Sequence, residues 1–358
     1  MGSLLVYFGV FAIGALFLNE GRKKSGAINL WSIIGLFVLI MLAAGRYHVG
    51  TDYNTYIQMF ERYASQSWTQ VFTSSEILFV ATAKVCYTLG GRVLTWAVFA
   101  GLTVIPIYLT IYRQYPKLYG VAAFFSFLCF YYAFSFNITR QFIAIALVIW
   151  GMQFVFKNKL LPFLIVIVLA TGFHLSAPIA GLVWFLWDHK KNESVNSQKR
   201  VAILIVVTII VFGYQEVITY MTGHISVLGN YASYANTNIG GQNRDLYLYI
   251  VELAILLLLK GKMRCDDSRV EVMYSLLIIS VLIGFTGFTH PQVKRLAYYY
   301  SVPAKLILFG YVPTCFAENS KKVSVVLICM YAVAYFVLTA YILGEAHLIP
   351  YHFNLFAV

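Results

Sequence analysis

Apolar runs of roughly 15 to 22 residues recur along this chain, and they constrain its fold more than any other feature. A helix needs about 20 apolar residues to cross a bilayer core of about 30 Å. A soluble domain has too little interior to hide a sequence that is 60% hydrophobic. Short loops separate the runs, so residues 1–358 are predicted to form a single all-α, multi-pass membrane domain. The runs lie at about 3–18, 28–45, 92–112, 118–136, 138–156, 201–221, 246–260, 271–289, 296–312 and 323–343.

The net charge of +12 could indicate a nucleic-acid partner, but the positions of the basic residues argue against it. Lysine and arginine fall mostly in short loops between the apolar runs, as they do in loops that stay on the cytoplasmic side of a membrane. We therefore expect membrane lipids, and no nucleic acid, around the protein. The basic loops are 21–25, 113–117, 157–159, 188–200, 260–269 and 317–322.

Known cofactor and metal signatures are missing from the sequence. It contains no P-loop, no G-x-G-x-x-G after a strand and no cluster of metal ligands. Its five cysteines form no C-x-x-C, so neither a disulfide framework nor a zinc site is indicated. We therefore predict no cofactor and no metal, and a soluble nucleotide-activated substrate does not fit.

The sidedness of the basic loops determines how Leu160–Trp187 is built. Basic loops flank this segment on both sides, so it must cross the membrane an even number of times. We expect it to break near residues 171–174 into two short helices. The whole chain then makes about twelve crossings, with both termini outside.

The same parity argument applies to the segment after Arg46. The chain must cross an odd number of times between Arg46, on the outer face, and the basic loop at 113–117. Two segments, 76–90 and 92–112, lie between these points, so one of them does not cross. We predict that 76–90 is re-entrant or interfacial, which lipid tolerates only where protein covers the backbone.

Five arginines map to the outer face, where the positive-inside pattern should exclude them. A lone arginine there is more often an anchor at a helix end. Several guanidiniums on one face suit an anionic ligand, because their planar forks match phosphate oxygens. Charged groups at membrane depth are also usually functional. The arginines are Arg46, Arg62, Arg140, Arg244 and Arg295, and the predicted external loops 46–75 and 222–245 contribute to the same site.

Asp52 precedes a stripe of aromatic residues at near-helical spacing. The stripe predicts an amphipathic helix that lies in the membrane interface, and an aromatic belt is enough to explain its tyrosines. Asp52 itself fits a helix N-cap, and it fits equally well a base or a carboxylate that positions an acceptor. The stripe consists of Tyr53, Tyr56, Phe60 and Tyr63.

Asn137, Arg140 and Gln141 stand at i, i+3 and i+4 at the outer mouth of a predicted helix. That spacing places all three on one helix face. A fully polar patch packs poorly against lipid, so we favour a ligand site over a structural role.

His174 lies at the expected break in Leu160–Trp187. Backbone groups freed by a broken helix at membrane depth commonly line a site. A histidine there can act as a base or a hydrogen-bond donor near neutral pH. The alternative is a structural histidine whose ring is satisfied by its neighbours.

Further polar residues occur late in the chain. One group begins another predicted helix, where cations beside tyrosines suit phosphate and sugar, although interfacial anchoring explains them equally well. Glu252 and Lys305 fall inside predicted spans and are expected to pair with each other, with no catalytic role. The group at the helix start is His290, Lys294, Arg295, Tyr298 and Tyr299.

The order of these motifs resembles the EpsG family of Wzy-type polysaccharide polymerases, and the resemblance extends from Arg46 to the tail at 349–351. Each motif alone is weak, and their order and shared outer-face placement carry the likeness. The motifs are R-x-x-x-G-x-D at Arg46, Gly50 and Asp52, N-x-x-R-Q at Asn137, Arg140 and Gln141, F-H-x-S-A at Phe173, His174, Ser176 and Ala177, and R-x-x-Y-Y at Arg295, Tyr298 and Tyr299.

The resemblance implies a reaction on the outer face of the bacterial cytoplasmic (inner) membrane. A growing glycan on undecaprenyl diphosphate would be the donor, and the acceptor would be the non-reducing end of a lipid-linked repeat unit. The resemblance also implies a fold like that of C-type glycosyltransferases, with no nucleotide and no necessary metal. A protein that regulates chain length is a candidate partner.

These roles agree with the chemistry of the residues. Fixed arginines stabilise the charge that develops on a departing diphosphate, and the attacking hydroxyl needs a base within hydrogen-bond reach. The sequence favours Asp52 slightly over His174 as that base. The expected diphosphate ligands are Arg140 and Arg295 first and Arg46 and Arg244 next, and the expected substrate-positioning residues are Asn137, Gln141, Tyr298, Tyr299 and His290.

Three other functions remain open at the level of sequence. A glycan ligase would share the lipid-diphosphate chemistry and differ in its acceptor. A flippase or transporter for the lipid-linked sugar would place charges along a path through the membrane and show repeat symmetry, whereas here the polar groups cluster on one face. A membrane acyltransferase that uses His174 is the least favoured of the three.

Overall fold

The protein is almost entirely helical in the part of the chain that the structure describes. This computed structural model describes residues 2–24, 26, 28–213, 224, 243–263, 267–288 and 293–356. The α-helices are α1 (Gly2–Lys23), α2 (Leu30–Ala44), α3 (Tyr53–Ser65), α4 (Trp68–Phe72), α5 (Ile77–Gln114), α6 (Gly120–Phe127), α7 (Thr139–Phe156), α8 (Leu160–Phe173), α9 (Ser197–Phe212), α10 (Arg244–Lys260), α11 (Ser268–Gly284), α12 (Tyr298–Tyr311) and α13 (Glu318–Phe336).

Shorter elements extend or connect these helices. Strands β1 (Trp187–Asp188) and β2 (Glu193–Ser194) form an antiparallel hairpin. A π-helical turn follows α6 and another follows α13, at Leu128–Tyr132 and Val337–Ile342. The 3₁₀ segments are Phe134–Phe136, Ala177–Leu186, Phe285–Phe288, Val293–Ala297, Val312–Cys315 and Glu345–His347.

Five of the described helical segments are long and apolar enough to cross a membrane, which confirms an all-α membrane protein. Four shorter apolar helices accompany them, and the predicted total of twelve crossings remains a prediction. The five long segments are Gly2–Lys23, Ile77–Gln114, Thr139–Phe156, Ser268–Phe288 and Glu318–Ile342.

Helix α7 forms the centre of the bundle, whereas α8 and α9 lie at its surface. Ile143 and Ala146 of α7 are fully buried, while Val168 of α8 and Ile209 of α9 expose more than half of their surface. A helix that is apolar and buried all round belongs to a core. The exposed apolar faces of α8 and α9 are surfaces that lipid would cover.

Glycine allows α1 and α2 to approach closely. A Cβ atom at Gly14 would lie 2.8 Å from Leu39, and one at Gly35 would lie 3.0 Å from Leu18. Small residues at such contacts let helix backbones pack tightly, which drives helix association in membranes. The first two helices therefore form a tight pair.

One end of the molecule, which we call the basic end, gathers the predicted basic loops. Arg22 donates hydrogen bonds to the carbonyl oxygen of Pro116 (2.8 Å). Arg200 and Lys260 both bind the carboxylate of Glu271, at 2.9 Å and 2.7 Å. These contacts join loops 21–25, 113–117, 188–200 and 260–269, as the charge pattern predicts for loops that share one side of a membrane.

The opposite end is covered by the C-terminal segment 346–354, and we call it the tail-covered end. The amide of Asn354 donates to Gly45 (2.7 Å), and the amide of Gly50 donates to His347 (2.9 Å). Gly50 has φ +104°, and a Cβ atom there would lie 2.5 Å from the Asn137 amide oxygen. Only glycine fits this turn without displacing that side chain.

Residues 77–90 do not cross the bundle, in agreement with the predicted re-entrant or interfacial segment. Glu76 contacts Arg140 in the first turn of α7 (2.6 Å), and Arg92 donates to the carbonyl oxygen of Asn354 (2.7 Å), so both ends lie at the tail-covered end. Between them, Gly91 adopts φ +58° and ψ −153°, which breaks α5. Glycine is the residue that reaches such angles readily.

The expected break in Leu160–Trp187 is confirmed. Helix α8 ends at Phe173, His174 is extended with φ −154° and ψ 123°, and the chain resumes as the 3₁₀ helix Ala177–Leu186. The expected placement of Asn137 on the face of α7 is wrong, because α7 begins at Thr139 and Asn137 lies in the turn before it.

The amphipathic helix predicted from the aromatic stripe is α3 (Tyr53–Ser65), and its aromatic side faces the protein. All four aromatic residues of the stripe are buried. Phe60 packs against Trp96, with ring centroids 4.9 Å apart. An aromatic belt exposed to lipid therefore does not explain this stripe, since the rings belong to the protein core. Asp52 occupies the N-cap position of α3, but its side chain makes no capping hydrogen bond.

Candidate functional site

Glu76 connects two residues that the sequence singles out separately. Its Oε2 accepts a hydrogen bond from Nη1 of Arg140 at 2.6 Å, and its Oε1 lies 2.7 Å from Nδ1 of His174. The backbone amide of Leu175 also donates to Oε1 (3.3 Å). We call Glu76, Arg140 and His174 the Glu76 trio.

Three local features of the fold bring the Glu76 trio together. Glu76 precedes the first residue of α5, where a carboxylate is favoured by the positive end of the helix dipole. Arg140 lies in the first turn of α7. The break after α8 frees the amide of Leu175, which a continuous helix would have used internally, to donate to Glu76. The site is thus built where helices begin and end.

The electrostatics keep Glu76 ionised. Burial alone would raise the pKa of this carboxyl group, but the hydrogen bond with His174 and the charge of Arg140 more than offset that effect. The pKa of Glu76 is therefore lowered from its ordinary 4.5. At neutral pH the trio holds a carboxylate against a guanidinium, in charge-assisted hydrogen bonds of the strong kind.

The two partners of Glu76 remain accessible, although Glu76 does not. The side chain of Glu76 is 9% exposed, whereas those of Arg140 and His174 are 36% and 19% exposed. If Nδ1 of His174 carries the proton and donates it to the carboxylate, Nε2 is left as a hydrogen-bond acceptor. The trio therefore presents a cation and a basic nitrogen to the same end of the molecule.

The start of α12 is tied to the same region. The Gln141 amide nitrogen donates to the backbone oxygen of Arg295 (3.0 Å). The hydroxyl of Ser176 donates to that of Tyr299 (3.2 Å). Tyr299 is fully buried, whereas Arg295 and Tyr298 are half-buried. Gln141 and Tyr299 therefore hold elements together, and Arg295 and Tyr298 keep some accessible surface.

Asn137 and Asp52 lie at the same end but do not contact the Glu76 trio. The Asn137 amide accepts a hydrogen bond from the Asp52 backbone (3.3 Å) and donates to Ala346 in the tail (2.9 Å). The half-buried carboxylate of Asp52 accepts a hydrogen bond from the hydroxyl of Thr51 (3.1 Å). Asn137 thus fixes the tail against the Asp52 turn.

Arg46 is enclosed by aromatic rings. It is 1% exposed, and its guanidinium lies 3.7 Å from the centroid of the Trp96 ring and 4.5 Å from that of Phe136. It also donates to the backbone oxygen of Phe136 (3.0 Å). Burial lowers the pKa of Arg46 to about 10. Cation–π contacts of this kind stabilise a desolvated guanidinium. The predicted role of Arg46 as a diphosphate ligand needs an accessible guanidinium, and this buried placement does not provide one.

Three predicted elements of the site fall wholly or mostly outside the described residues. His290 is not among them, the side chain of Arg244 is not described, and the external loop 222–245 is described only in part.

Glu76 was not predicted from the sequence as a site residue. Its contacts lie 64 and 98 residues away along the chain. The available signal was compositional, because the chain has 14 acidic residues in total, and one of them directly precedes the apolar segment that does not cross.

The fold and the site define an all-α membrane protein with a charged centre where helices begin and break. The EpsG family model matches residues 29–353, which is most of the chain. The chain therefore belongs to the EpsG family. No curated protein and no solved structure matches it. Membership of this family supports an enzyme of polysaccharide biosynthesis, of the glycosyltransferase-like polymerase type, in a membrane.

Proposed function

We propose that the protein polymerises a polysaccharide from lipid-linked repeat units. It transfers a growing glycan from undecaprenyl diphosphate to the non-reducing end of one repeat unit, at the outer face of the bacterial cytoplasmic membrane. The observation that carries this proposal is the Glu76 trio, in which one ionised carboxylate holds Arg140 at 2.6 Å and His174 at 2.7 Å.

Arg140 acts on the leaving group. When the bond between the anomeric carbon and the diphosphate oxygen breaks, its electron pair passes to undecaprenyl diphosphate. A guanidinium that is already fixed stabilises this charge without reorganising during the reaction. Glu76 supplies the fixation, since it anchors one edge of the Arg140 fork through Nη1. The partly exposed remainder of the fork binds the diphosphate.

His174 acts on the acceptor. The attacking hydroxyl oxygen forms the new glycosidic bond, and its proton passes to Nε2 of His174. A carboxylate on the other ring nitrogen orients a histidine base and stabilises the imidazolium that forms, as in hydrolytic triads. Sequence reasoning alone slightly favoured Asp52 as the base, and the contact between His174 and Glu76 makes us prefer His174. We assign Asp52 to positioning the acceptor.

The remaining candidates surround this centre. Arg295 is a second diphosphate ligand, held near the site through its backbone by Gln141. Tyr298, which is half-buried, offers a ring face to sugar. Asn137 acts indirectly, through the Asp52 turn. Arg46 stabilises the fold at this end, and Arg244 and His290 keep the roles that the sequence assigns to them.

The test uses the purified full chain in nanodiscs with a synthetic undecaprenyl-diphosphate repeat unit, in parallel samples with and without a metal chelator. We expect a ladder of lengthening glycans on a gel. A ladder that forms in the presence of chelator would show that the protein polymerises the repeat unit without a metal. If chelator alone stops the ladder, the metal-independent part of the proposal is wrong. If folded protein leaves a verified repeat unit unchanged, polymerisation is wrong.

Two alternatives are separated in the same preparation. A glycan ligase would elongate nothing with the repeat unit alone and would transfer the glycan once a different acceptor is added. A flippase would leave the lipid intact and move it across vesicles of known sidedness. Either outcome would mean that the protein is a ligase or a flippase and not a polymerase.

A further inference from the structure

A cavity of about 310 Å³ opens at the basic end, away from the Glu76 trio. Helix α7 connects the two, since it begins near Arg140 and ends at Phe156, a distance of about 24 Å at 1.5 Å per residue. The cavity is lined by the ends of α5 and α7, the β1–β2 hairpin and the start of α11. The lining residues on which the argument depends are Arg113, Gln114, Lys157, Trp187, Asp267 and Arg269.

Two buried side chains in the lining have polar atoms without partners. Gln114 is 6% exposed, and neither its amide nitrogen nor its amide oxygen has a hydrogen-bond partner among the described residues. Trp187 is 3% exposed, and its indole N–H is likewise unpartnered there. Buried polar groups are nearly always paired in folded proteins. The Gln114 amide nitrogen and the Trp187 indole N–H are donors from which an anion can accept hydrogen bonds, whereas the Gln114 amide oxygen is an acceptor that an anion does not satisfy.

The charge of the lining is positive. Asp267 contributes the one carboxylate among the described lining residues, and Arg269 engages it with its Nε at 2.7 Å and 2.8 Å from the two oxygens. Arg113 and Lys157 are exposed, and no ion pair involves either of them in the described part of the chain. Ser268 begins α11, whose partial positive charge is partly taken up by the capping carboxylate of Asp267.

We propose that this cavity binds a phosphate-bearing ligand, at the end of the molecule opposite the reaction centre. A guanidinium and an ammonium supply charge to phosphate oxygens. The buried Gln114 amide nitrogen and the Trp187 indole N–H supply further donors. The volume is within the range of small-molecule sites. The phosphate belongs either to the headgroup of an anionic membrane lipid or to a free compound, and the experiment distinguishes these sources.

The experiment compares two double variants of the full chain in detergent. Arg113→Ala/Lys157→Ala removes the two cations of the cavity that form no ion pair in the described part of the chain. Lys117→Ala/Lys159→Ala is the matched control, because it removes two exposed cations of the same loops that do not line the cavity. Inorganic pyrophosphate is titrated by calorimetry, and cardiolipin binding is counted by native mass spectrometry, with phosphatidylcholine as the neutral reference.

We expect wild type to bind at least one anionic probe, the cavity variant to lose affinity by tenfold or more, and the control to keep it. Binding of pyrophosphate assigns the site to a free compound, and binding of cardiolipin alone assigns it to a lipid headgroup. The proposal is wrong if wild type binds neither probe. It is also wrong if the two double variants behave alike, since the effect is then one of overall charge.

Discussion

Two of the carboxylates that contact cations, Glu76 and Glu252, differ in what surrounds them. Glu76 bridges Arg140 and His174, whose side chains are 36% and 19% exposed. Glu252 pairs with Lys305, and these two side chains are 2% and 1% exposed. The first group opens toward one end of the molecule, whereas the second is closed on every side.

The elements that carry the two groups differ as well. The Glu76 trio stands at a helix start, a first turn and a helix break, where backbone groups are free to bind. Glu252 and Lys305 lie within α10 and α12, and the hydroxyl of Tyr331 donates to Glu252 (2.7 Å). The ammonium of Lys305 also lies 4.1 Å from the Tyr249 ring centroid. In the function we propose, similar charges therefore take part in chemistry in one place and in packing in the other.

The largest expected effect concerns the closed pair. Lys305→Met leaves Glu252 buried without its cation, and breaking a buried pair in this way costs about 3–5 kcal/mol. The free energy of unfolding in mixed micelles with increasing sodium dodecyl sulfate measures this loss. The double variant Lys305→Met/Glu252→Leu removes both charges and should recover most of it. If the double variant is as unstable as the single one, the loss does not come from the unpaired charge of Glu252, and this explanation of the pair is wrong.

The next effect concerns Arg140. Arg140→Ala should lower the rate of glycan transfer by about 10²–10³-fold, the usual loss when one preorganised group that stabilises transition-state charge is removed. Rates are measured with the lipid-linked repeat unit. Arg62→Ala is the control, because Arg62 is another exposed arginine, 5.2 Å from the ring of its neighbour Tyr63. Equal losses in both variants would remove the distinction between Arg140 and an anchoring arginine.

A smaller effect separates the two candidate bases. His174→Ala should slow transfer by about 10²-fold, the lower end of what a general base contributes, whereas Asp52→Ala should lose much less. Both variants are assayed at saturating repeat unit, so that weaker acceptor binding does not mimic slower chemistry. A larger loss from Asp52→Ala would return the role of base to that carboxylate.

Features that depend on local pattern and charge could be predicted from the sequence. The break at His174, the helix Tyr53–Ser65 and the pairing of Glu252 with Lys305 all agree with the structure. Apolar length, helical spacing and the cost of a lone charge in a bilayer suffice for these.

Features that depend on contacts between distant parts of the chain could not be predicted from the sequence. No periodicity links Glu76 to a residue 98 positions later, and none shows that Arg46 points into a ring of aromatics. The placement of Asn137 on the face of α7 was also wrong, because Asn137 lies in the turn before Thr139 and donates to Ala346 of the tail. At the tail-covered end, sequence reasoning therefore identified Arg140 and His174 as site residues but did not predict that Glu76 connects them.

The most direct test applies the same substitution to both regions. Glu76→Gln and Glu252→Gln each neutralise one carboxylate at nearly constant volume, and transfer rate and unfolding are measured on the same preparations. We expect Glu76→Gln to lose about tenfold or more in transfer rate while its fold is retained. We expect Glu252→Gln to unfold more readily while each folded molecule keeps its transfer rate. Normal transfer by Glu76→Gln, or slow transfer by a fully stable Glu252→Gln, would show that the two carboxylates do not divide between chemistry and packing.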